Sequence, residues 1–104
     1  MRQGDLLWAE DERIGGYRPV LVVSRTSIIP HVNWIIVAPV TRRRRGIASE
    51  LDVGVANGLA QASVVQLDAM TLIDKNVLAR PIGELAVDDL NAMYEAIRAV
   101  FDLP

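Results

Sequence analysis

The 104-residue sequence contains no cysteine and a single histidine. Without cysteine there can be no disulfide bond, no thiolate nucleophile and no cysteine-based metal site. One histidine leaves too few imidazole groups for most histidine-rich metal sites. The sequence therefore predicts neither a metal site nor a bound cofactor.

Long apolar runs are also absent. No apolar segment approaches the roughly 20 residues that a membrane-spanning helix requires. The first residues, Met1–Asp5, lack the apolar core of a signal peptide. We therefore expect a cytoplasmic protein that does not associate with a membrane.

The length and the apolar content together limit the number of domains. A chain of 104 residues cannot fill two separate cores. Apolar residues make up 51% of the sequence, which is enough for one packed core. The sequence predicts a single domain over residues 1–104.

The net charge is small, but the cationic residues are unevenly placed. A formal charge of −2 argues against a general nucleic-acid binder. Four arginines nevertheless follow one another at Arg42–Arg45. Electrostatic fields in physiological salt extend only about 8–10 Å. A local basic patch on a mildly acidic body can therefore still hold a polyanion.

The hydrophobic pattern predicts several short strands followed by one helix. Strands show as short β-branched runs or as alternation of polar and apolar residues. The predicted strands are Gly4–Ala9, Arg18–Ser24, Val32–Val40, Ala48–Val53, Ser63–Asp68 and Leu78–Gly83. After residue 88 the apolar spacing changes to three and four residues, which is typical of an amphipathic helix. This order favours a small, strongly bent barrel with a terminal helix packed against it.

The predicted connections differ in character. Residues 10–17 form a polar, glycine-containing stretch, which indicates a mobile loop. A connector follows at 25–31, and the arginine run is expected in a loop or hairpin tip. If Pro19–Val23 and Trp34–Val40 pair antiparallel, the start of one strand lies beside the end of the other. That arrangement would bring Arg18 and Thr41 to the same rim.

The motifs taken in order resemble the MazF/PemK family of toxins. The resemblance extends over essentially the whole chain. It rests on Gly4–Trp8, Arg18–Ser24, Val37–Thr41, Ser63–Asp68 with Thr71–Ile73, and Ile82–Leu85 before the helix. It implies a mainly β fold with a C-terminal helix, an SH3-like barrel of the CcdB/PemK type, and a homodimer. It also implies a metal-independent, sequence-specific endoribonuclease that cleaves single-stranded RNA and is neutralised by a cognate antitoxin.

The same resemblance implies that Arg18 and Thr41 are catalytic. An arginine presents a planar fork of donors that matches phosphate oxygens and stays charged at any working pH. A threonine hydroxyl can donate to a non-bridging phosphate oxygen. Without the resemblance, Arg18 could equally be a strand-end arginine that caps a carbonyl or pairs with an acid at 10–12.

Five further residues are candidates for binding RNA. Tyr17 can stack on a base, and Gln66 and Asp68, predicted to share one strand face, can hydrogen-bond to exposed base edges. Arg42 and Arg43 can grip the phosphate backbone, since one or two of the four arginines are expected to contact RNA. Three of the five have a structural alternative: the arginine run that contains Arg42 and Arg43 is often a solvated hairpin tip, and Asp68 could cap a turn.

Three other residues invite functional roles that the pattern does not favour. Trp8 and Trp34 could stack on bases, but they lie within apolar runs and are expected in the core or a dimer interface. His31 could act as a base, but it follows a proline in a connector and is expected on the surface.

Two other functions remain open at this point. A gyrase-poisoning toxin would share the barrel but bind a protein and cleave nothing. Such proteins rely on a Trp-Gly-Ile ending, whereas this sequence ends Phe101–Pro104. A non-catalytic module that binds only RNA or an antitoxin-like peptide could retain both Arg18 and Thr41.

Overall fold

The computed structural model describes all residues from Met1 to Pro104. It contains seven strands, five single-turn 3₁₀ helices and one α-helix. The strands are β1 (Asp5–Asp11), β2 (Gly16–Val22), β3 (Trp34–Thr41), β4 (Glu50–Val53), β5 (Ser63–Gln66), β6 (Thr71–Asp74) and β7 (Leu78–Glu84). The helix α1 spans Val87–Phe101. The predicted β-rich fold with a C-terminal helix is confirmed.

The strands form one continuous bent sheet with β3 at its centre. Neighbouring strands follow the order β4-β5-β3-β2-β1-β7, and β6 also pairs with β3. The first half of β3 pairs with β6, and its last two residues, Val40 and Thr41, pair with β5. On its other edge β3 pairs antiparallel with β2. The strand that carries Thr41 is therefore held by three others.

The prediction of a mobile loop over residues 10–17 was wrong. Strands β1 and β2 pair as far as Asp11 opposite Gly16, which leaves only a 3₁₀ turn at the hairpin tip. The Asp11 side chain accepts a hydrogen bond from the backbone N–H of Arg13 at 2.8 Å, and Ile14 is buried. Gly15 reverses the chain with a φ of 88°, a conformation that favours glycine. Local side-chain capping and one buried isoleucine order a segment whose composition indicates a loop.

The segment after β5 also differs from the prediction. Strand β5 ends at Gln66, and Leu67–Ala69 form a 3₁₀ turn that buries Leu67. Asp68 therefore lies in this turn and does not share a strand face with Gln66. The chain then forms β6, a strand missing from the hydrophobic-pattern prediction because the adjacent Leu72 and Ile73 break the alternation of polar and apolar residues.

Two apolar clusters stabilise the two faces of the sheet. One contains Leu21, Ala38 and Val65 and is covered by Met93 and Ala96 of α1. The other contains Val20, Ile35 and Ile73, among others, and is closed by Ile14 and Ile29. The predicted packing role of the helix is confirmed, although Phe101 at its end is 58% exposed. No helix of the fold has the length and apolar character needed to cross a bilayer.

Candidate phosphate site and adjoining cavity

The pairing of β2 with β3 directs Arg18 and Thr41 toward the same rim of the sheet. In the β2–β3 pair, Val20 lies opposite Pro39 and Leu21 opposite Ala38. The pairing ends at Val20–Pro39, and extending this register by two residues aligns Arg18 with Thr41. Residues directly opposite each other in an antiparallel pair project to the same face. The two predicted catalytic residues therefore share one face at the end of β3.

Arg18 has no partner within the chain. Its side chain is half-buried, and its Nε atom is buried without a hydrogen-bond acceptor. The acid of the hairpin tip that could have paired with it, Asp11, forms its ion pair with Arg13 instead, at 3.0 Å. An unsatisfied buried donor costs about 1–3 kcal/mol, so this guanidinium group is well suited to an anionic ligand.

Thr41 is the last residue of β3 and is half-buried. Its Oγ1 accepts a hydrogen bond from the backbone N–H of Arg43 at 3.3 Å. A hydroxyl has one proton to donate as well as lone pairs to accept with. Thr41 Oγ1 donates no hydrogen bond within the chain, so its hydroxyl proton is available to a ligand.

The four consecutive arginines divide into two pairs. Arg44 forms an ion pair with Asp52 at 2.5 Å, and Arg45 forms ion pairs with Glu50 and Asp68. Arg42 and Arg43, which follow Thr41 directly, form no ion pair and are exposed. The loop thus keeps free positive charge at its Thr41 end.

Asp68 is bound by Arg45 in a bidentate pair. Arg45 Nη2 and Nη1 lie 2.7 and 3.0 Å from the two carboxylate oxygens, and Ser49 donates a further hydrogen bond at 3.2 Å. The hydrogen bonds from Arg45 lower the pKa of Asp68 despite partial burial. They also raise the pKa of Arg45. The turn carrying Asp68 is thereby fastened to the arginine loop, and an RNA contact for Asp68 stays a prediction.

Glu50 holds the same loop from the other side. Its carboxylate accepts hydrogen bonds from the backbone N–H groups of Arg45 and Gly46 at 3.0 and 2.8 Å. Burial raises the pKa of Glu50, but these hydrogen bonds outweigh burial and leave the pKa lowered. The conformation of the arginine loop is therefore set by two carboxylates.

Gln66 and Tyr17 lie on opposite faces of the sheet, because Tyr17 directly precedes Arg18 in β2 and neighbouring strand residues alternate. Val64 is opposite Thr41, and Gln66, two residues further along β5, projects to the same face. Its side chain is half-buried and makes no hydrogen bond within the chain. Tyr17 is 51% exposed and stacks on Trp8, with ring centroids 4.8 Å apart. One face of the tyrosine ring is therefore already covered.

The tryptophans are not core residues, contrary to one of the two expectations for them. Trp8 is half-buried under Tyr17, and Trp34 is 44% exposed with the Arg13 guanidinium 5.2 Å from its ring centre. Because β3 alternates, Trp34 projects away from the core that contains Ile35. His31 is exposed, as expected.

A cavity of about 480 Å³ opens beside the end of β3. Thr41 and Arg42 border it, whereas Arg18 does not. The remaining lining comes from Trp8, Pro19 and Val40 in the sheet and from Pro81 and Ile82 in β7. The loop residues Gly58, Leu59, Ala60, Gln61 and Ser63 complete it. Sequence reasoning missed this loop, because only its Asn57-Gly58 turn carries a recognisable signal.

The chain matches the family of PemK-like, MazF-like toxins of type II toxin–antitoxin systems over residues 2–101. It belongs to this family. Endoribonuclease MazF3 of Mycobacterium tuberculosis is 43% identical over 86 residues, which cover 83% of this chain and 84% of the relative. The fold superposes on the Mycobacterium tuberculosis toxin MazF-mt6 with a TM-score of 0.89 and 38% identity, covering 96% and 98% of the two chains.

A more distant structure shares the fold of this MazF-family chain. It is an endoribonuclease in complex with its cognate antitoxin from a mycobacterial species, with a TM-score of 0.88 and 22% identity. The match covers 100% of this chain and 97% of the chain in that structure. The implied MazF/PemK relationship and the CcdB/PemK-type barrel are therefore confirmed. Within the fold, no group of three or more histidine, aspartate or glutamate side chains is placed to hold a metal ion.

Proposed function

We propose that this MazF-family protein cleaves single-stranded RNA by attack of a 2′-hydroxyl, without a metal ion, at a phosphate held by Arg18 and Thr41. The class of activity, an endoribonuclease toxin of a toxin–antitoxin system, follows from the family and from a 43% identical relative named an endoribonuclease. The observation that supports the site is Arg18, an arginine without a hydrogen-bond partner that the β2–β3 register, extended by two residues, aligns with the Thr41 hydroxyl.

The reaction defines what the two residues must do. The 2′-oxygen forms a new bond to phosphorus while the bond to the 5′-oxygen breaks. The 2′-hydroxyl loses a proton, and the departing 5′-oxygen gains one. Negative charge builds on the non-bridging oxygens in the transition state. Donors aimed at that charge lower the barrier because they need no reorganisation.

Arg18 and Thr41 are assigned to charge stabilisation and positioning. The guanidinium fork of Arg18 can donate two hydrogen bonds to phosphate oxygens. A guanidinium group stays protonated in proteins and is therefore a poor proton donor at neutral pH. The Thr41 hydroxyl can donate a further hydrogen bond to a phosphate oxygen and so hold the phosphate in line with the attacking oxygen.

The residues around the pair are proposed to hold the flanking RNA. Arg42 and Arg43 supply unpaired positive charge for neighbouring phosphates. The outer face of Tyr17 offers a surface for base stacking, which is worth about 1–3 kcal/mol per base. Gln66 and Asp68 are the proposed contacts to base edges, although the Asp68 carboxylate must then share its oxygens with Arg45.

The proposed partners are a second copy of the chain and an antitoxin. Three apolar side chains, Trp34, Ile36 and Leu72, are 37–52% exposed on the outer face of β3 and β6. Such a patch supports a homodimer, with RNA in a groove between the copies. The neighbouring structure was solved with its cognate antitoxin, which supports an antitoxin as partner here. We propose that this antitoxin occludes the groove and that the protein acts in the cytoplasm.

Incubation of the purified protein with a long RNA in excess EDTA tests the proposal. The native protein and an Arg25→Ala control, which removes an exposed arginine far from the site, should both release discrete fragments. The Arg18→Ala variant should release none. Intact RNA with the native protein would contradict the proposal, and a DNA gyrase assay would then test the protein-targeting alternative.

A further inference from the structure

We infer that Glu50 is a positioning residue for RNA binding. Its carboxylate holds the arginine loop, residues 42–47, so that Arg42 and Arg43 are presented to the phosphate backbone. The inference rests on the proposed function, from which it takes RNA as the ligand. It goes beyond that function because it assigns a need for a carboxylate beside a site that binds a polyanion. The contacts of Glu50, compared with those of its neighbour Asp52, carry it.

Strand β4 places two acids on the face that carries Thr41. Val64 of β5 lies opposite Thr41 on one side and opposite Asp52 on the other. Glu50 lies opposite Gln66, two residues further along β5. Directly opposed residues project to the same face, as do residues two apart in one strand. Both carboxylates therefore share the face on which RNA is proposed to bind, where an unneutralised acid would repel phosphate.

The two acids have different partners. The Glu50 side chain is 3% exposed, and its carboxylate accepts hydrogen bonds from three successive backbone N–H groups, those of residues 45–47, at 2.8–3.4 Å. The Asp52 side chain is exposed and contacts the Arg44 guanidinium, and no backbone N–H donates to it. Asp52 therefore neutralises one arginine, whereas Glu50 also fixes the backbone of the loop.

Glu50 fills a concave set of backbone donors. Gly46 has a φ of 75°, and successive N–H groups around such a turn point to one side, where they bind an anion. The Glu50 N–H donates in return to the Ile47 carbonyl at 3.1 Å. At the start of the loop, the Arg43 N–H donates to Thr41 Oγ1 at 3.3 Å. Without the Glu50 carboxylate, that one hydrogen bond would remain among the backbone N–H groups of the loop.

Charge and order make opposite predictions for a substitution at Glu50. By charge alone, loss of an acid beside the site should strengthen the binding of a polyanion. By order, a loop released from the carboxylate must be fixed again when RNA binds, and that entropy cost weakens binding. Three N–H groups on one nearly inaccessible carboxylate favour the second effect for Glu50. At the exposed Asp52, which holds only the side chain of Arg44, the first effect should dominate.

Binding of a 2′-O-methyl RNA, which cannot be cleaved because the attacking hydroxyl is blocked, tests this comparison. Glu50→Ala should weaken binding about tenfold and lower the slope of log affinity against log salt by about 0.7, the value for one phosphate contact on a single strand. Asp52→Ala, the matched control, should instead strengthen binding about threefold, because Arg44 becomes free to meet a phosphate. Glu50→Gln keeps one acceptor oxygen without the charge and should weaken binding less than Glu50→Ala. Binding by Glu50→Ala as tight as that of the native protein, or tighter, would overturn the inference.

A background without the two free arginines separates positioning from general damage to the fold. With Arg42→Ala and Arg43→Ala in place, Glu50→Ala should no longer weaken binding, because the side chains that Glu50 positions are gone. A loss that persists in this background would show that Glu50 serves only the fold, and would overturn the inference. Thermal unfolding verifies that each variant is folded at the assay temperature. If Glu50→Ala is unfolded there, Glu50→Gln replaces it in both comparisons.

The uncleavable probe keeps the role of Glu50 apart from the proposed function. A native protein that binds the 2′-O-methyl strand but cuts no RNA would overturn the nuclease and leave the Glu50 comparison valid. A native protein that cuts RNA, with unchanged binding in Glu50→Ala, would overturn the role of Glu50 alone. Absence of binding by the native protein would overturn both.

Discussion

Arg18 packs its guanidinium group directly against Gly15. A Cβ at Gly15 would lie 2.9 Å from Arg18 Nη2 and 3.2 Å from Cζ. The next residue, Gly16, has a similar positive φ, 103° against 88°, but a Cβ there would meet no atom within 4 Å. The hairpin tip therefore contains one glycine that makes room for the proposed catalytic arginine and one that does not.

This difference predicts unequal effects of two adjacent substitutions. Gly15→Ala and Gly16→Ala should both lose stability, by roughly 1 kcal/mol or more, because each forces a non-glycine residue to a positive φ. Only Gly15→Ala should displace Arg18, so its cleavage rate should fall about tenfold further than that of Gly16→Ala. Thermal unfolding and single-turnover kinetics on both variants measure the two effects. Equal losses of rate would show that Gly15 does not position Arg18.

The division of the arginine run predicts the salt dependence of RNA binding. For single-stranded nucleic acid, each phosphate neutralised adds about 0.7 to the slope of log affinity against log salt. Arg43→Ala should lower that slope by about 0.7, since Arg43 has no acidic partner. Arg44→Ala, which removes an arginine paired with Asp52, should change the slope much less. A larger change for Arg44 than for Arg43 would argue against this division.

The lowered pKa of Asp68 predicts that its ion pair with Arg45 contributes to stability in a pH-dependent way. Its pKa is lower in the folded protein than in the unfolded chain, so the unfolded state binds its proton at higher pH. Stability from the Arg45–Asp68 pair should be present above about pH 4 and be lost as the pH falls through the lowered pKa. Asp68→Asn should therefore destabilise the protein at pH 7, and the difference should shrink at low pH. Urea unfolding at several pH values measures this, and a pH-independent difference would contradict it.

The exposed apolar face predicts where a homodimer forms. Leu72 is 52% exposed on β6, opposite Ile36 of β3 in the strand register. Leu72→Arg should weaken self-association, because a charge would be buried in the interface. Val55→Arg alters a residue that is 72% exposed elsewhere and serves as the control. Sedimentation across a range of concentrations should show monomers for the first variant only.

The fold and the central pair could be predicted because they depend on strong local patterns. The apolar runs around Val20 and Val37 predict two strands, and the structure pairs these strands antiparallel. The family resemblance supplied the remaining topology and the endoribonuclease class, both of which the relatives confirm. The assignment of Arg18 and Thr41 to catalysis stays a prediction.

The parts that sequence reasoning missed depend on contacts between distant segments. The bidentate pair of Arg45 and Asp68 joins residues 23 positions apart, so no spacing rule indicates it. The cavity forms because the 57–63 loop packs on β7. That packing depends on close approaches of Gly58 to Ile82 and of Gly83 to Asn57, which no sequence pattern indicates. The composition of the hairpin tip indicates a mobile loop, because a polar sequence does not show that its single isoleucine, Ile14, is buried.

The most direct test is a cycle of single-turnover cleavage rates in EDTA for the native protein, Arg18→Ala, Thr41→Ala and the double variant. Each single substitution should slow cleavage about a hundredfold or more, because each removes a donor to the same phosphate charge. The double variant should be slower than either, but by less than the product of the two effects. A native rate in either single variant would contradict the assignment of the phosphate site to this pair.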